Sequence, residues 1–211
     1  MPLHGEGLLA IWHRVTPEMD LEYNDWHTRE HLPERVGIEG FRTGRRYVDD
    51  TAEQPVYLTL YVGRSSDSFA SPAYLERLNA PTAWTQRVQP SFRDFVRSAY
   101  DVTHSVGLGV GAALGVVTVD LSQETFDHES ETALSLLDRE GVCGVHCAKN
   151  TAVTESYRTA ETDLRADSAN PAPTALILVE ATSRSVVTEA ISGYSSSTVL
   201  DLAVHIDEGD I

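Results

Sequence analysis

The chain has 211 residues, of which 41% are hydrophobic and 23% are charged, a balance typical of a folded globular protein. Its formal net charge of -16 at pH 7 disfavours nucleic acid and anionic membrane surfaces as partners, because both are bound through clustered Lys and Arg. No stretch approaches the roughly 20 consecutive apolar residues that a membrane-spanning helix requires. The two cysteines, Cys143 and Cys147, are spaced too widely along one strand for an easy disulfide. We therefore expect a cytoplasmic protein with reduced thiols.

The charge is distributed unevenly along the chain. Residues 1–105 contain 11 basic and 15 acidic residues, whereas residues 106–211 contain 5 basic and 17 acidic residues. Because an anion binds best where basic side chains are least outnumbered, we expect any anionic ligand in the first half.

The first half has the pattern of a β-α-β-β-α-β unit. Alternating or continuous apolar runs predict strands, and periodic segments bounded by Asp, Ser or Pro predict helices. The expected elements are strands at 7–15, 41–48, 56–62 and 92–100, a helix from 21 to about 33, and a helix at 71–88 interrupted at residue 81. Because Pro33 lacks a backbone N–H, we expect the first helix to end there or to fray soon after it.

The same order of elements is predicted again after a glycine-rich joint at 107–115. The expected elements are strands at 116–121, 142–148, 175–181 and 199–205 and helices at 124–137 and 186–191. The sequence thus predicts an α+β fold of two tandem ferredoxin-like βαββαβ halves, 1–106 and 107–211, whose sheets can cover each other. The polar segment 154–173 is expected to be an insertion loop that could close over a ligand.

Residues with chemical potential share one side of the first predicted helix. Tyr23, Trp26, His27, Glu30 and His31 fall on this face at about 100° per residue. The i, i+4 histidines could hold a metal together, form a hydrogen-bonded pair, or act as a base and its orienting neighbour. They could equally be surface or capping histidines packed beside the tryptophan.

A metal site is a second interpretation of the same helix. Residues 27–31 fit the H-x-x-E-H pattern of zinc proteases. A metal or haem could also be held by one of these histidines together with His13, which would lie on the neighbouring strand. Pro33 follows at once, however, and no distal glutamate ligand is evident. We therefore expect no metal, and His27 with His31 remain the ligands of the alternative.

The strand that follows this helix carries three arginines. These are Arg42, Arg45 and Arg46, and the two-residue period places Arg45 on the same face as Tyr47. A guanidinium there could hold a substrate carboxylate or enolate. The equally weighted alternative is that these arginines form exposed ion pairs with nearby Glu and Asp side chains.

Residues 23–35 (YNDWHTREHLPER), with Gly40-Phe41-Arg42 and Arg45-Arg46-Tyr47, resemble the EthD-like branch of the dimeric α/β-barrel superfamily. The similarity covers about residues 7–65. It implies that the two ferredoxin-like sheets pack as a pseudo-dimeric barrel. Members of the superfamily include cofactor-free monooxygenases, lactone isomerases, polyketide cyclases, EthD-type decarboxylases or dehydratases, and haem enzymes. The more acidic second half lacks a counterpart of the helix that carries His27 and His31, so one site per chain is expected.

These observations predict an enzyme that uses cofactor-independent acid/base chemistry. Isomerisation, cyclisation, dehydration or decarboxylation of an aromatic, polyketide-like or lactone substrate, and cofactor-free oxygenation, all fit. The expected roles are His27 as acid/base near its ordinary pKa, His31 as its orienting partner, Tyr23 and Arg45 as further catalytic groups, and Trp26, Tyr47, Arg42 and His13 as substrate-binding residues.

The open alternatives are a non-catalytic protein that binds a small hydrophobic or aromatic molecule, and a metal or haem protein that uses His27 and His31. A homodimer is expected in either case.

Overall fold

The computed structural model describes residues 3–119, 123–151, 158–165 and 170–211. Within these ranges the strands are β1 (Gly7–Val15), β2 (Phe41–Asp49), β3 (Val56–Gly63), β4 (Phe92–Gly107), β5 (Ala113–Val119), β6 (Val142–Thr151), β7 (Ala175–Ala181) and β8 (Ser197–Asp207). The helices are α1 (Asp20–Trp26), α2 (Leu32–Val36), α3 (Pro72–Leu78), α4 (Ala83–Val88), α5 (Gln123–Leu134), α6 (Ala160–Leu164) and α7 (Arg184–Ala190). A π-helical turn, His27–His31, joins α1 to α2.

The strands form one closed antiparallel barrel in the order β1-β3-β2-β8-β5-β7-β6-β4. The first four strands follow the order β4-β1-β3-β2 and the last four the equivalent order β8-β5-β7-β6. The pairs β2–β8 and β4–β6 close the barrel between the two sets. The predicted α+β fold of two ferredoxin-like units in one chain is therefore confirmed, and the boundary at residue 106 stays a prediction.

The barrel has an apolar interior to which both halves contribute. One buried cluster draws side chains from all eight strands and none from the helices. Its members include Leu8, Tyr47, Leu60, Tyr100, Leu114, Ala148, Leu178 and Leu200. The opposite face of each half-sheet packs against its own helices, in separate clusters. The strand period of two thus divides each strand between a barrel face and a helix face.

The first helical segment runs past Pro33, which was predicted to end or fray it. Leu32 donates its N–H to the His27 carbonyl, five residues back, which is the hydrogen bond of a π turn. Pro33 then occupies the first turn of α2, where a backbone N–H is not needed. The helix can therefore continue to Val36.

Side-chain caps begin several of the other helices. The hydroxyls of Ser71, Thr82 and Ser183 accept hydrogen bonds from the backbone N–H three residues further on, at the starts of α3, α4 and α7. Such caps stabilise short helices by satisfying an N–H that the helix itself cannot. None of the helices described has the length and apolar character that crossing a bilayer requires.

The segment predicted as an insertion loop contains a helix. Its residues 160–164 form α6, where Thr159 and Thr162 make a reciprocal capping box. Residues 154–157 and 166–169 of that segment lie outside the described residues, as do residues 120 and 121 of the predicted strand at 116–121.

Candidate functional site

A cavity of about 300 Å³ lies between the helix face of the first half-sheet and the helices that cover it. β1, β3 and β4 form its floor, α1, the π turn, α2 and α3 form its sides, and α6 of the second half reaches over it. Its walls are rich in aromatic rings. These belong to Trp26, Tyr61, Phe69, Tyr74, Phe92 and Phe95. The cavity therefore suits a small molecule with a planar, apolar body.

Three histidines line this cavity and are buried. His13 on β1 and His27 on the π turn are each 2% exposed, and His31 at the end of the turn is 8% exposed. The rings of His27 and His31 lie 5.5 Å apart, as the i, i+4 spacing predicted. The structure thus brings together three of the residues that the sequence analysis singled out.

Burial lowers the pKa of each of these imidazoles. It lowers the pKa of His13 to about 3, and that of His27 and His31 well below the usual value, with neighbouring arginine charges acting in the same direction. The expectation that His27 titrates near neutrality is therefore wrong. All three rings are neutral at pH 7, so each has one nitrogen that can accept a proton.

Several nitrogens of these rings lack a protein partner. The His27 Nε2 lies 3.0 Å from the Thr59 hydroxyl, which fixes the orientation of the ring. The His27 Nδ1, the His31 Nδ1 and both nitrogens of His13 have no hydrogen-bond partner among the described residues. Buried polar atoms without partners are unusual in a folded protein, and a bound ligand is one way to satisfy them.

Trp26 is held in place from behind the cavity. Its indole N–H donates to the Glu30 carboxylate at 3.2 Å and lies 3.3 Å from the Thr85 hydroxyl. The ring packs 4.2 Å from the His31 ring, centroid to centroid. Glu30 also accepts a hydrogen bond from Thr82 at 2.5 Å. The carboxylate of the H-x-x-E-H pattern thus serves to position a tryptophan.

Tyr23 lies next to two of the histidines. Its ring centroid is 5.1 Å from that of His13 and 5.4 Å from that of His27. Burial raises the pKa of Tyr23, so its hydroxyl remains a protonated phenol at neutral pH. It supports the imidazoles without itself forming part of the cavity wall.

The remaining predicted site residues lie elsewhere, which corrects the expectation that they share the site with His27. Arg45 and Tyr47 are buried on the barrel face of β2, where the Arg45 Nη1 lies 2.6 Å from Glu180 Oε1. Arg42 forms a partly exposed ion pair with Glu208. The two-residue period had correctly paired Arg45 with Tyr47, but their shared face is turned away from the helices.

The side chains that complete the cavity were missed by the sequence analysis. Thr59 and Tyr61 occupy the helix face of β3, and the alternation of aromatic and polar residues there was a usable signal. Arg97 comes from β4. Glu161 and Arg165 come from α6 and the residue after it, and nothing local in the sequence places them near His27.

A buried ion pair joins α6 to α2. Arg35 donates to Glu161, and the two side chains are 2% and 4% exposed. Arg35 also lies 2.9 Å from Glu34 Oε2. The backbone N–H of Ala160 donates to Asn79 at the end of α3. This second-half helix is therefore docked onto the first-half site by both charge and hydrogen bonding.

Within the described ranges, no group of three or more His, Cys, Asp or Glu side chains is arranged to hold a metal ion. His27 and His31 would have to bind a metal ion without a third His, Cys, Asp or Glu ligand from that part of the chain. A haem iron, which takes four ligands from its porphyrin, would need only one of the two histidines. The expectation that no cofactor is needed stays a prediction.

No protein-family model and no curated protein matches the sequence. Several solved structures have the same fold. One is a protein of Fusobacterium nucleatum subsp. nucleatum provisionally assigned as a monooxygenase; it gives a TM-score of 0.59 at 10% identity and covers 97% of this chain and 95% of its own. An anthrone oxidase-like protein gives a TM-score of 0.58 at 10% identity, covering 100% of this chain and 98% of its own.

A protein provisionally assigned as a chlorite dismutase gives a TM-score of 0.53 at 14% identity, covering 98% of this chain and 97% of its own. At such low identity these likenesses show the fold alone. Membership of the EthD-like branch stays a prediction. The chain has the fold of the dimeric α/β-barrel superfamily, with both ferredoxin-like units in a single polypeptide.

Proposed function

We propose that the cavity binds a small aromatic molecule and that His27 accepts a proton from it, with His31 as its neighbour in the proton transfer. One observation carries this proposal: three neutral imidazoles lie in an aromatic cavity, and each has at least one nitrogen without a hydrogen-bond partner among the described residues. Fold neighbours assigned as monooxygenase or anthrone oxidase-like proteins are consistent with chemistry on small molecules.

The simplest reaction is removal of a proton from a carbon that is next to a carbonyl group or conjugated with it. The imidazole nitrogen bonds to the proton, and the C–H electron pair moves toward the carbonyl oxygen to give an enolate. Return of the proton to a different carbon isomerises the molecule. Loss of a hydroxyl group from the neighbouring carbon, which takes up the abstracted proton and leaves as water, gives dehydration instead. In decarboxylation the C–C bond to the carboxylate breaks in place of the C–H bond, CO₂ leaves, and the enolate carbon takes up a proton that the imidazole relays from solvent. No cofactor is required for any of these steps.

The low pKa of the resting histidines limits when this transfer can occur. A buried imidazolium is unfavourable in the empty cavity, because burial penalises the charged form. A substrate that becomes negative beside the ring offsets this penalty by charge attraction. Proton transfer to His27 is therefore tied to the formation of an anion in the cavity.

Deuterium exchange tests the proposal without knowledge of the natural substrate. The methylene protons of anthrone are conjugated with its carbonyl group and exchange with D₂O, and the rate without protein is the background. We expect the wild-type protein to accelerate this exchange, measured by NMR. His27→Gln should reduce the protein-dependent rate by about a hundredfold or more, as is typical of a lost acid/base group. His128→Gln, which changes an exposed histidine of the second half, is the matched control.

The outcomes separate the competing functions. Anthrone binding with no exchange above background supports a non-catalytic binding protein. Exchange that is unchanged in both His27→Gln and His31→Gln contradicts the proposed base. Elemental analysis of protein purified without a chelator, combined with native mass spectrometry, tests the metal or haem alternative and the expected homodimer together.

A further inference from the structure

The cavity is cationic although the protein is strongly acidic. The charged side chains that line it are three arginines, Arg35, Arg97 and Arg165, and one glutamate, Glu161. Glu161 is already bound to Arg35. The chain as a whole has a formal net charge of -16. Two guanidinium groups therefore remain at this cavity without a matching carboxylate among the described residues.

Aromatic rings hold these two guanidinium groups in place. The Arg97 Cζ lies 5.7 Å from the Tyr74 ring centroid, and its Nη2 donates to the Tyr74 hydroxyl at 3.3 Å. The Arg165 Cζ lies 4.1 Å from the Phe95 ring centroid. Neither arginine forms an ion pair with any residue that the structure describes. Stacking of the planar face leaves the N–H edge of a guanidinium free to bind an anion.

The two arginines are also close enough to repel each other. Burial, and then the charge of Arg97, lower the pKa of Arg165 to about 10. With a pKa of about 10 Arg165 remains charged at neutral pH, so its proximity to Arg97 has an electrostatic cost that an anion bound to both guanidinium groups would relieve. A carboxylate can accept from both guanidinium groups at once.

We infer that the natural ligand is an aromatic carboxylate, whose ring occupies the aromatic walls and whose carboxylate is bound by Arg97 and Arg165. The ligand class rests on the cavity invoked in the proposed function and specifies it further. Because Arg165 follows α6 of the second half, such a ligand also connects the two halves of the chain.

Calorimetric titration with 2-naphthoate and its neutral isostere 2-naphthamide at pH 7.5 tests this inference. We expect the wild type to bind the carboxylate about tenfold or more tightly than the amide, the amount expected for charge-assisted hydrogen bonds. Arg97→Gln and Arg165→Gln should each reduce this preference. Arg158→Gln is the matched control, because Arg158 lies in the same segment, is 85% exposed and pairs with Asp163 outside the cavity.

Equal affinity of the wild type for both probes would overturn the inference. So would a carboxylate preference that survives in both cavity variants, or failure of both probes to bind. Circular dichroism of the two variants shows whether they remain folded, and retention of 2-naphthamide binding provides a second check. The proposed function is judged separately, since anthrone carries no carboxylate and its exchange depends on His27.

Discussion

The Arg45 Nη1 lies 2.6 Å from Glu180 Oε1 inside the barrel, so one buried ion pair connects β2 of the first half with β7 of the second. Both side chains are 2% exposed. Burial opposes ionisation of Glu180, but its hydrogen bond with His146 and the charge of Arg45 keep its pKa below the usual value. The backbone N–H of Gly111 also donates to this carboxylate at 2.6 Å. The Glu180 carboxylate is therefore charged, and these partners stabilise its charge inside the barrel.

Loss of Arg45 should destabilise the whole barrel. We expect Arg45→Met to lower the free energy of unfolding by about 3–5 kcal/mol in urea titrations, because it leaves a buried carboxylate without its cation. Arg42→Met removes the partly exposed pair with Glu208 and should cost at most about 1 kcal/mol. The double variant Arg45→Met, Glu180→Met should recover part of the loss. Equal losses of unfolding free energy in Arg45→Met and Arg42→Met would contradict this interpretation.

Helix α6 should depend on the ion pair between Arg35 and Glu161. Removing one partner of a buried pair costs about 3 kcal/mol at the lower end of measured values, and Glu34 remains to share the Arg35 charge. We expect Glu161→Gln to increase hydrogen exchange of the α6 amides by about a hundredfold, measured by mass spectrometry. Asp163→Asn alters the exposed face of the same helix and should leave exchange nearly unchanged. Similar effects of both variants would show that the buried pair does not hold α6.

The buried histidines should make stability fall as the solution becomes acidic. For His13 the folded-state pKa is about 3, below the ordinary value of 6.5, so the unfolded chain binds this proton more readily. Above pH 6.5 the ring is neutral in both states, and this proton does not affect the free energy of unfolding. As the pH falls from 6.5 toward the folded-state pKa, the unfolded chain takes up the proton and the folded protein does not, so the free energy of unfolding decreases. Each such group contributes about 1.4 kcal/mol per pH unit in this range.

A variant isolates this contribution from that of the carboxylates. His13 stacks on Phe92, with ring centroids 4.2 Å apart, and neither of its nitrogens has a hydrogen-bond partner among the described residues, so we expect His13→Phe to be accommodated. Between about pH 6 and pH 4 its unfolding free energy should fall less steeply than that of the wild type, by about 1.4 kcal/mol per pH unit. His128→Gln should follow the wild-type curve. Parallel curves for wild type and His13→Phe would mean that His13 is not buried as a neutral ring.

The contact between β2 and α2 requires a glycine. A Cβ at Gly44 would lie 2.7 Å from Leu32 Cδ1 and 2.8 Å from Val36 Cγ2. We expect Gly44→Ala to lower the unfolding free energy by about 1–3 kcal/mol, the usual cost of overpacking a core, and to weaken ligand binding because α2 continues directly from His31. Gly193→Ala is the control, since its added Cβ would have no heavy atom of the described residues within 4 Å apart from its own chain neighbours. Urea titration measures the free energy of unfolding, and calorimetric titration measures the affinity for 2-naphthoate. If Gly44→Ala changes neither quantity, α2 can shift on the sheet to accommodate the added Cβ.

The order of elements could be read from the sequence because it depends on local patterns. A continuous apolar run predicted β7 at its observed bounds, and Ser71 correctly marked the start of α3. The i, i+4 spacing of His27 and His31 similarly placed both rings on one side of their helix. These features follow from backbone geometry over a few residues, whatever the rest of the chain does.

Tertiary structure decided which of these residues meet. The two-residue period put Arg45 and Tyr47 on one face of β2, but closure of the barrel determined that this face is the interior. The neutral state of the histidines depends on burial, which no spacing reveals. Glu161 and Arg165 reach the first-half cavity only because the second half packs beside it and carries α6 across the site. Contacts between residues more than a hundred positions apart arise from the folded whole, and the charge of the candidate site is set by them.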